Sequence, residues 1–144
     1  MMTYHCLKLP THDSIEIINL TPQVNALIQA RSLHQGHVII SSRHTTTAVT
    51  INEYEERLLD DIKTYLRKLA PAGDRYLHND LHLRDVPDDE PENAHSHLMA
   101  MTLGNSEIIP VVDGQLALGT YQSILLVELD GPRDRTVGVQ LAGQ

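Results

Sequence analysis

The sequence predicts an α+β domain in which a largely antiparallel sheet or sandwich is combined with two or three helices. Apolar residues alternate with polar ones near both ends of the chain, as half-buried strands require. Between these ends apolar residues recur at helical spacing, and Asp113-Gly114 is a strong hairpin signal. The chain has 144 residues and no internal repeat, so we expect one domain that covers residues 1–144.

The first forty residues predict two strands, a helix and a third strand. Strands over residues 2–9 and 14–19 flank a turn, and residues 37–42 form a short apolar strand. Between them, Thr21 has the character of a helix N-cap and Pro22 that of the first helical residue.

The stretch H-T-T-T-A-V-T-I-N-E at residues 44–53 has the β-branched content of a strand. Period-two alternation would place His44, Thr46, Ala48 and Thr50 on one face, which would suit the wall of a polar pocket. The alternative is an ordinary sheet strand that carries a surface histidine.

After Asn52 the spacing becomes helical, with acids in the first turns and bases in the last, as the helix dipole favours. Pro71 and Gly73 end this helix. Its apolar stripe is Leu58, Leu59, Ile62, Leu66 and Leu69, and its early acids are Glu53, Glu55 and Glu56.

A long polar loop over residues 72–92 is followed by a short helix over 94–103, which Asn93 can cap. Helical spacing points His97 inward and His95 elsewhere. The face predicted to be buried consists of Ala94, His97, Leu98 and Met101.

The remainder of the chain reads as β structure. The turn Asp130-Gly131-Pro132 separates the last two strands. The predicted strands cover residues 107–112, 115–119, 122–129 and 135–141.

Composition excludes several classes of protein. The formal net charge of −8 argues against a general binder of nucleic acids or anionic membranes. No apolar run of about 18 residues predicts a membrane span, and the first residues lack the pattern of a signal peptide. Cys6 is the single cysteine, so no internal disulfide can form; we read it as structural and expect a reducing, cytoplasmic location.

Nine histidines are the main compositional anomaly. Three imidazoles and a water would make an open catalytic zinc site. The local spacings are weak signals, because a single histidine is more often buried and hydrogen-bonded than bound to metal. The histidines in the middle of the chain are His44, His78, His82, His95 and His97.

Three further features have both a functional and a plain interpretation. The acidic loop around Asp80 can capture Mg²⁺ for a phosphorylated substrate or be merely solvated. Asn52 and Glu53 can belong to a site or to a helix start. The turn at residues 119–122 lets the backbone approach a ligand closely, or is an ordinary connection.

The segment S-E-I-I-P-V-V-D-G-Q-L-A-L-G-T-Y-Q at residues 106–122 closely resembles the signature of the YjbQ-like family, also called secondary thiamine-phosphate synthases. The resemblance covers nearly the whole chain, with Tyr121 where the family often has Trp. Further matching blocks are H-T-T-T-A-V-T-I-N-E at 44–53, Y-L-H-N-D at 76–80, N-A-H-S-H-L at 93–98 and E-L-D-G-P-R at 128–133.

This resemblance implies a jelly-roll-like β-sandwich core, a homotrimer, and a histidine-lined pocket for a divalent metal. Zinc is the expected metal, with magnesium as an alternative for a diphosphate substrate. The metal candidates are His44, His78 and His97, which match the family's shared histidines. The catalytic candidates are His44, Glu53 and Asp80, and the substrate-binding candidates are Thr46, Asn52, Gly119, Thr120 and Gln122.

The activity that the resemblance implies is weak thiamine-phosphate synthesis, in which a hydroxymethylpyrimidine diphosphate joins a thiazole phosphate and diphosphate is lost. Only Arg43 and Arg84 lie next to the matched motifs as cations for such a phosphorylated substrate. Two alternatives remain open: a metal-dependent hydrolase of unknown substrate, and a non-catalytic trimer that holds a small ligand or metal.

Overall fold

The computed structural model describes all 144 residues, which form eight strands and three helices. The strands are β1 (Met2–Pro10), β2 (Glu16–Asn19), β3 (Gly36–Ser42), β4 (Thr47–Asn52), β5 (Ser106–Val112), β6 (Gln115–Leu116), β7 (Ser123–Glu128) and β8 (Asp134–Gly143). The helices are α1 (Thr21–Ala30), α2 (Glu56–Leu69) and α3 (Ala94–Leu103). The strands form a five-stranded sheet of order β1-β8-β3-β5-β6 and a three-stranded sheet of order β2-β7-β4, and every pairing is antiparallel. The predicted antiparallel α+β sandwich is thereby confirmed.

The three-stranded sheet is the middle layer of the molecule. One of its faces packs Ile124 and Leu126 against the five-stranded sheet, in a core that α1 closes. Its other face packs Leu125 and Val127 against residues of α2 and α3, such as Leu66. This position explains the continuous apolar run of β7, because a strand buried on both faces has no polar side.

The outer face of the five-stranded sheet has no helix packed against it. Met2 (68% exposed) and Ile108 (65%) lie on this face, as do Tyr4 and Val112. Cys6 lies in β1, within the predicted strand, and is exposed on the same face. We found no helix that has both the length and the apolar character needed to cross a membrane.

The hairpin predicted at Asp113-Gly114 is confirmed. Both residues have positive φ, 51° and 79°, as a type I′ turn requires. The returning strand is shorter than the predicted 115–119, because β6 ends at Leu116. The chain then closes a small loop in which Gly119 N–H donates to Gln122 Oε1 (2.8 Å).

Two predicted helix starts are wrong in detail. Thr21 does not cap α1; its Oγ1 instead accepts the N–H of Ile124 (2.9 Å), which ties the helix to β7. In α2 the capping carboxylate belongs to Glu55, and the bonds from Arg57 N–H and Leu58 N–H lower the pKa of Glu55. Glu53, expected in the first turn of this helix, therefore lies outside it.

The predicted buried face of α3 is only partly right, because Ala94 is buried as expected but Leu98 and Met101 are not. Leu98 is 41% exposed and Met101 77%, whereas Met99 and Ala100 are buried. Apolar residues occur nearly all around this helix, so spacing alone does not select a face. The face is fixed instead by Ser96, which is fully buried and donates its Oγ–H to the backbone oxygen of Leu129 (2.6 Å).

Candidate functional site

A cleft of about 530 Å³ opens between α3 and the bend that joins β3 to β4. His44 and His97 face this cleft, and Ala100 and Met101 supply its apolar wall. We call it the histidine cleft. An adjoining cavity of about 400 Å³ shares both histidines and adds three guanidinium groups; we call it the arginine cavity.

His44 lies in the bend before β4, and the prediction that it shares a strand face with Thr46, Ala48 and Thr50 is wrong. Ser42, the last residue of β3, holds the bend because its Oγ accepts the N–H of His44 (3.1 Å). Regular alternation therefore begins only at β4. Thr46 points into the interior, where its Oγ1 accepts a hydrogen bond from a buried guanidinium.

The ring of His44 is anchored on one side and open on the other. Its Nε2 accepts the backbone N–H of Thr136 (2.8 Å). Nδ1 has no hydrogen-bond partner in the protein and is not among its buried polar atoms. Burial, followed by the positive charge of Arg135, lowers the pKa of His44, although Glu128 opposes this. The ring is therefore neutral at neutral pH.

His97 on α3 contacts His78, which lies in a 3₁₀ turn over Leu77–Asn79. The two ring centroids are 4.8 Å apart and the planes meet at 75°, an edge-to-face contact. Burial, followed by the neighbouring His78 ring, lowers the pKa of His97, against the opposing charge of Asp130. Nε2 of His78 is buried and has no hydrogen-bond partner.

Beside Arg43, which the sequence had indicated, the arginine cavity contains two cations that sequence reasoning missed, Arg133 and Arg135. Arg135 is buried, and its guanidinium forms a short ion pair with Glu128, so it is not available to a ligand. Arg133 is exposed and bonds Asp130 (3.0 Å), and Arg43 is exposed with only a long contact (3.5 Å) to the hydroxyl of Tyr4. Arg43 can therefore bind an anion, whereas Arg133 keeps only Nη1 for one, because its Nε and Nη2 are bound to Asp130. The only sequence signal for Arg133 was its position at the end of the matched block E-L-D-G-P-R.

The side chains do not form a three-histidine metal centre within one chain. No group of three or more His, Cys, Asp or Glu side chains lies close enough to hold a metal ion. His78 and His97 offer two neighbouring imidazoles, and the unpartnered Nε2 of His78 suits a ligand. The lone pair of His44 Nε2 is already used by Thr136 N–H. A bound divalent metal remains a prediction.

The other predicted site residues lie elsewhere. Asn52 and Glu53 are at the far end of β4, about 17 Å from its start by the rise of a strand. Gly119, Thr120 and Gln122 belong to the exposed loop before β7. This loop adjoins a separate cleft of about 450 Å³, which Gln122 lines with polar residues of α1.

Asp80 follows His78 closely in the chain, but its carboxylate is bound to Arg75 (2.7 Å) rather than turned to the histidine cleft. The structure thus brings together His44 and His97, with His78 behind His97 and Thr46 beneath the bend.

The family model for "UPF0047 protein YjbQ-like" matches residues 5–144. The chain belongs to this family. A UPF0047 protein of Archaeoglobus fulgidus is 45% identical to this YjbQ-like chain over 134 residues, which cover 93% of the chain and 97% of the relative. A UPF0047 protein of Methanothermobacter thermautotrophicus is 40% identical over 138 residues, which cover 96% of the chain and 90% of the relative.

Solved structures agree with the YjbQ-like fold. A hypothetical protein of Aeropyrum pernix K1 superposes with a TM-score of 0.90 at 35% identity and 99% coverage of both chains. A protein of Sulfolobus solfataricus P2, described as YbjQ-like and of unknown function, gives a TM-score of 0.89 at 32% identity, covering 100% of this chain and 99% of the other. These names specify the family and no reaction, so the function of the cleft has to be argued from its chemistry.

Proposed function

We propose that this YjbQ-like protein is a transferase of the secondary thiamine-phosphate synthase type, with weak activity, acting on a small phosphorylated molecule in the histidine cleft. The observation that carries the proposal is the grouping of His44 and His97 with the two exposed guanidinium groups of Arg43 and Arg133 around adjoining cavities. Polar groups that converge on one concave site are the usual mark of a small-molecule site.

The proposed reaction forms one bond and breaks one. The ring nitrogen of the thiazole phosphate attacks the methylene carbon of the pyrimidine, and the bond from that carbon to the diphosphate oxygen breaks. Diphosphate leaves with the bonding electron pair, and the thiazole nitrogen becomes a quaternary cation. The protein must therefore hold a departing anion and tolerate positive charge that develops at the methylene carbon.

The two requirements are met by different side chains. Because His44 and His97 are neutral, the guanidinium groups of Arg43 and Arg133 supply the positive charge for the diphosphate, with hydrogen bonds that strengthen as it departs. Carboxylates of Glu90 and Asp130 line the same cavity and favour the developing cation, although each is also paired with an arginine, Arg84 and Arg133 respectively. Neutral imidazoles can hydrogen-bond either substrate without repelling that cation.

The experiment is an assay of thiamine phosphate with both substrates on the purified protein. We expect product from the wild type, none above background from His97→Ala, and a KM for the diphosphate raised about 10-fold or more in Arg133→Gln, as the loss of a charged hydrogen bond predicts. Arg31→Gln is the matched control, because Arg31 is exposed at the end of α1. A wild type that makes no more product than His97→Ala refutes the proposal.

A metal-dependent hydrolase is the second candidate, and one observation favours it. Nε2 of His78 is buried without a partner beside His97, as an unfilled metal ligand would be. This candidate predicts phosphatase or amidase turnover that disappears with a chelator and returns with Zn²⁺. Tight retention of a ligand without turnover would instead favour a non-catalytic binding protein.

We also propose that the protein assembles as a homotrimer in the cytoplasm. The uncovered outer face of the five-stranded sheet supports association, since monomers rarely leave a large apolar face to water. Unpaired Cys6 suits a reducing compartment. Light scattering should give about three times the 16.1 kDa chain mass, and Ile108→Lys should reduce it. A wild type at the single-chain mass contradicts the assembly.

A further inference from the structure

The hydrogen bond from Thr136 N–H to His44 Nε2 takes the place of a bond between strands. β8 pairs with β3 as far as Ser42 opposite Val137, and Arg43 N–H still donates to Thr136 O (3.3 Å). The chain then turns away into the bend, so no backbone carbonyl remains for Thr136 N–H. The imidazole of His44 supplies the missing acceptor at 2.8 Å. Because a backbone N–H that is partly shielded from water is costly to leave unpaired, this contact fixes the ring.

The contact also fixes where the ring carries its proton. A neutral imidazole has one N–H and one lone-pair nitrogen. Nε2 uses its lone pair on Thr136 N–H, so the proton must lie on Nδ1. Nδ1 has no partner in the protein, and the ring borders both the histidine cleft and the arginine cavity.

We infer that His44 presents a fixed Nδ1–H donor to an anionic oxygen of the ligand, and that it acts neither as a metal ligand nor as a general base. Coordination at Nε2 would break the bond to Thr136, and coordination at Nδ1 would require removal of its proton. A phosphate oxygen is the acceptor that the surroundings favour, because Arg43 and Arg133 line the same cavity. The inference rests on the proposed function only for the identity of this ligand.

The backbone around His44 is held as firmly as the ring. Ser42 is 8% exposed, and its Oγ accepts the N–H of His44 and lies in hydrogen-bond contact with the hydroxyl of Thr47. The donor is thus set before the ligand arrives, which reduces the entropy lost on binding. It completes an anion subsite in which one neutral donor accompanies two guanidinium groups.

The first test reads the tautomer directly. Long-range ¹H–¹⁵N NMR of the wild-type protein at neutral pH should show a pyrrole-type Nδ1 and a pyridine-type Nε2 for His44. Addition of Zn²⁺ alone should leave both signals unchanged, and inorganic diphosphate should shift the Nδ1–H signal. An Nε2–H tautomer, a zinc-bound nitrogen of His44, or no response to diphosphate overturns the inference.

The second test uses two substitutions at one position. Asn places an amide nitrogen near the position of Nδ1, so His44→Asn should keep diphosphate binding within about threefold of wild type, while His44→Ala should weaken it about tenfold or more. Equal loss in both variants, with both shown to be folded by circular dichroism, contradicts the donor role. Failure of the thiamine-phosphate assay would refute the proposed function and leave the tautomer result standing.

Discussion

The buried ion pair of Arg135 and Glu128 is the sharpest target for a stability experiment. Arg135 is 4% exposed and Glu128 fully buried. The carboxylate also accepts hydrogen bonds from the hydroxyl of Thr11 and the N–H groups of Leu129 and Asp130. Burial alone would raise the pKa of Glu128, but the bonds from Arg135 and Thr11 outweigh it, and the pKa is lowered.

Removal of either partner leaves an uncompensated buried charge, which costs about 3–5 kcal/mol. We expect Arg135→Met to lose about 3 kcal/mol of unfolding free energy, the lower end of this range, because Glu128 keeps its other three hydrogen-bond donors. Glu128→Leu should lose about 5 kcal/mol, the upper end of this range, because the buried guanidinium and those three donors are all left without an acceptor. At an unfolding entropy of about 2.1 cal/mol/K per residue, a chain of 144 residues should lose about 10–17 °C in Tm.

The assay is denaturant and thermal unfolding monitored by circular dichroism. Arg133→Met is the matched control, because its guanidinium is exposed and its ion pair with the half-buried Asp130 should contribute only about 1 kcal/mol. The double variant Glu128→Leu with Arg135→Met should be more stable than Glu128→Leu alone, since no charge is then stranded. An Arg135→Met protein as stable as Arg133→Met would refute the assignment of this pair as a buried anchor.

Two further predictions concern the backbone and pH. Gly36→Ala should destabilise the protein by about 3 kcal/mol or more in denaturant titrations, because the added Cβ would lie 1.9 Å from the backbone oxygen of Ala142. Gly73→Ala is the control: its Cβ would meet no atom within 4 Å, so stability should change by less than about 1 kcal/mol. The pKa values of His44 and His97 are lowered in the folded protein, so just below pH 6.5 the unfolded chain binds more protons than the folded one. The free energy of unfolding should therefore fall as the pH drops through 6.5 towards the folded-state pKa values. His97→Gln should fall less steeply over this interval, and a wild type that gains stability on acidification contradicts the sign.

Much of the fold follows from the sequence because the apolar pattern and the turn residues agree. The run Ile124–Val127 is apolar on both faces, and the structure places it in the middle layer between two cores. The hairpin at Asp113-Gly114 was predictable because a type I′ turn requires positive φ at both central residues, and both have it. The face of α3 did not follow, because its orientation depends on one long-range bond, from Ser96 to Leu129 O.

The histidines of the candidate site were predictable from the sequence, but of its cations only Arg43 was, and Arg133 and Arg135 were not. His44 and His97 were found through matched motifs, and the structure places both on one cleft. The strand assignment of His44 failed because the bond from its N–H to Ser42 Oγ bends the chain before β4 begins. Period-two spacing describes a continuous strand and contains no information about such a break.

The position of Arg133 and Arg135 beside His44 is a consequence of register. β8 lies between β1 and β3, and Ser42 is paired with Val137. The residues that precede Val137 must therefore run past the end of β3, where the bend and His44 lie. A slip of one residue would turn Arg135 out of the core and withdraw the N–H of Thr136 from the imidazole. The same register thus sets the buried ion pair, the tautomer of His44 and the position of Arg133 in the arginine cavity, although about ninety residues separate β8 from His44 in the chain.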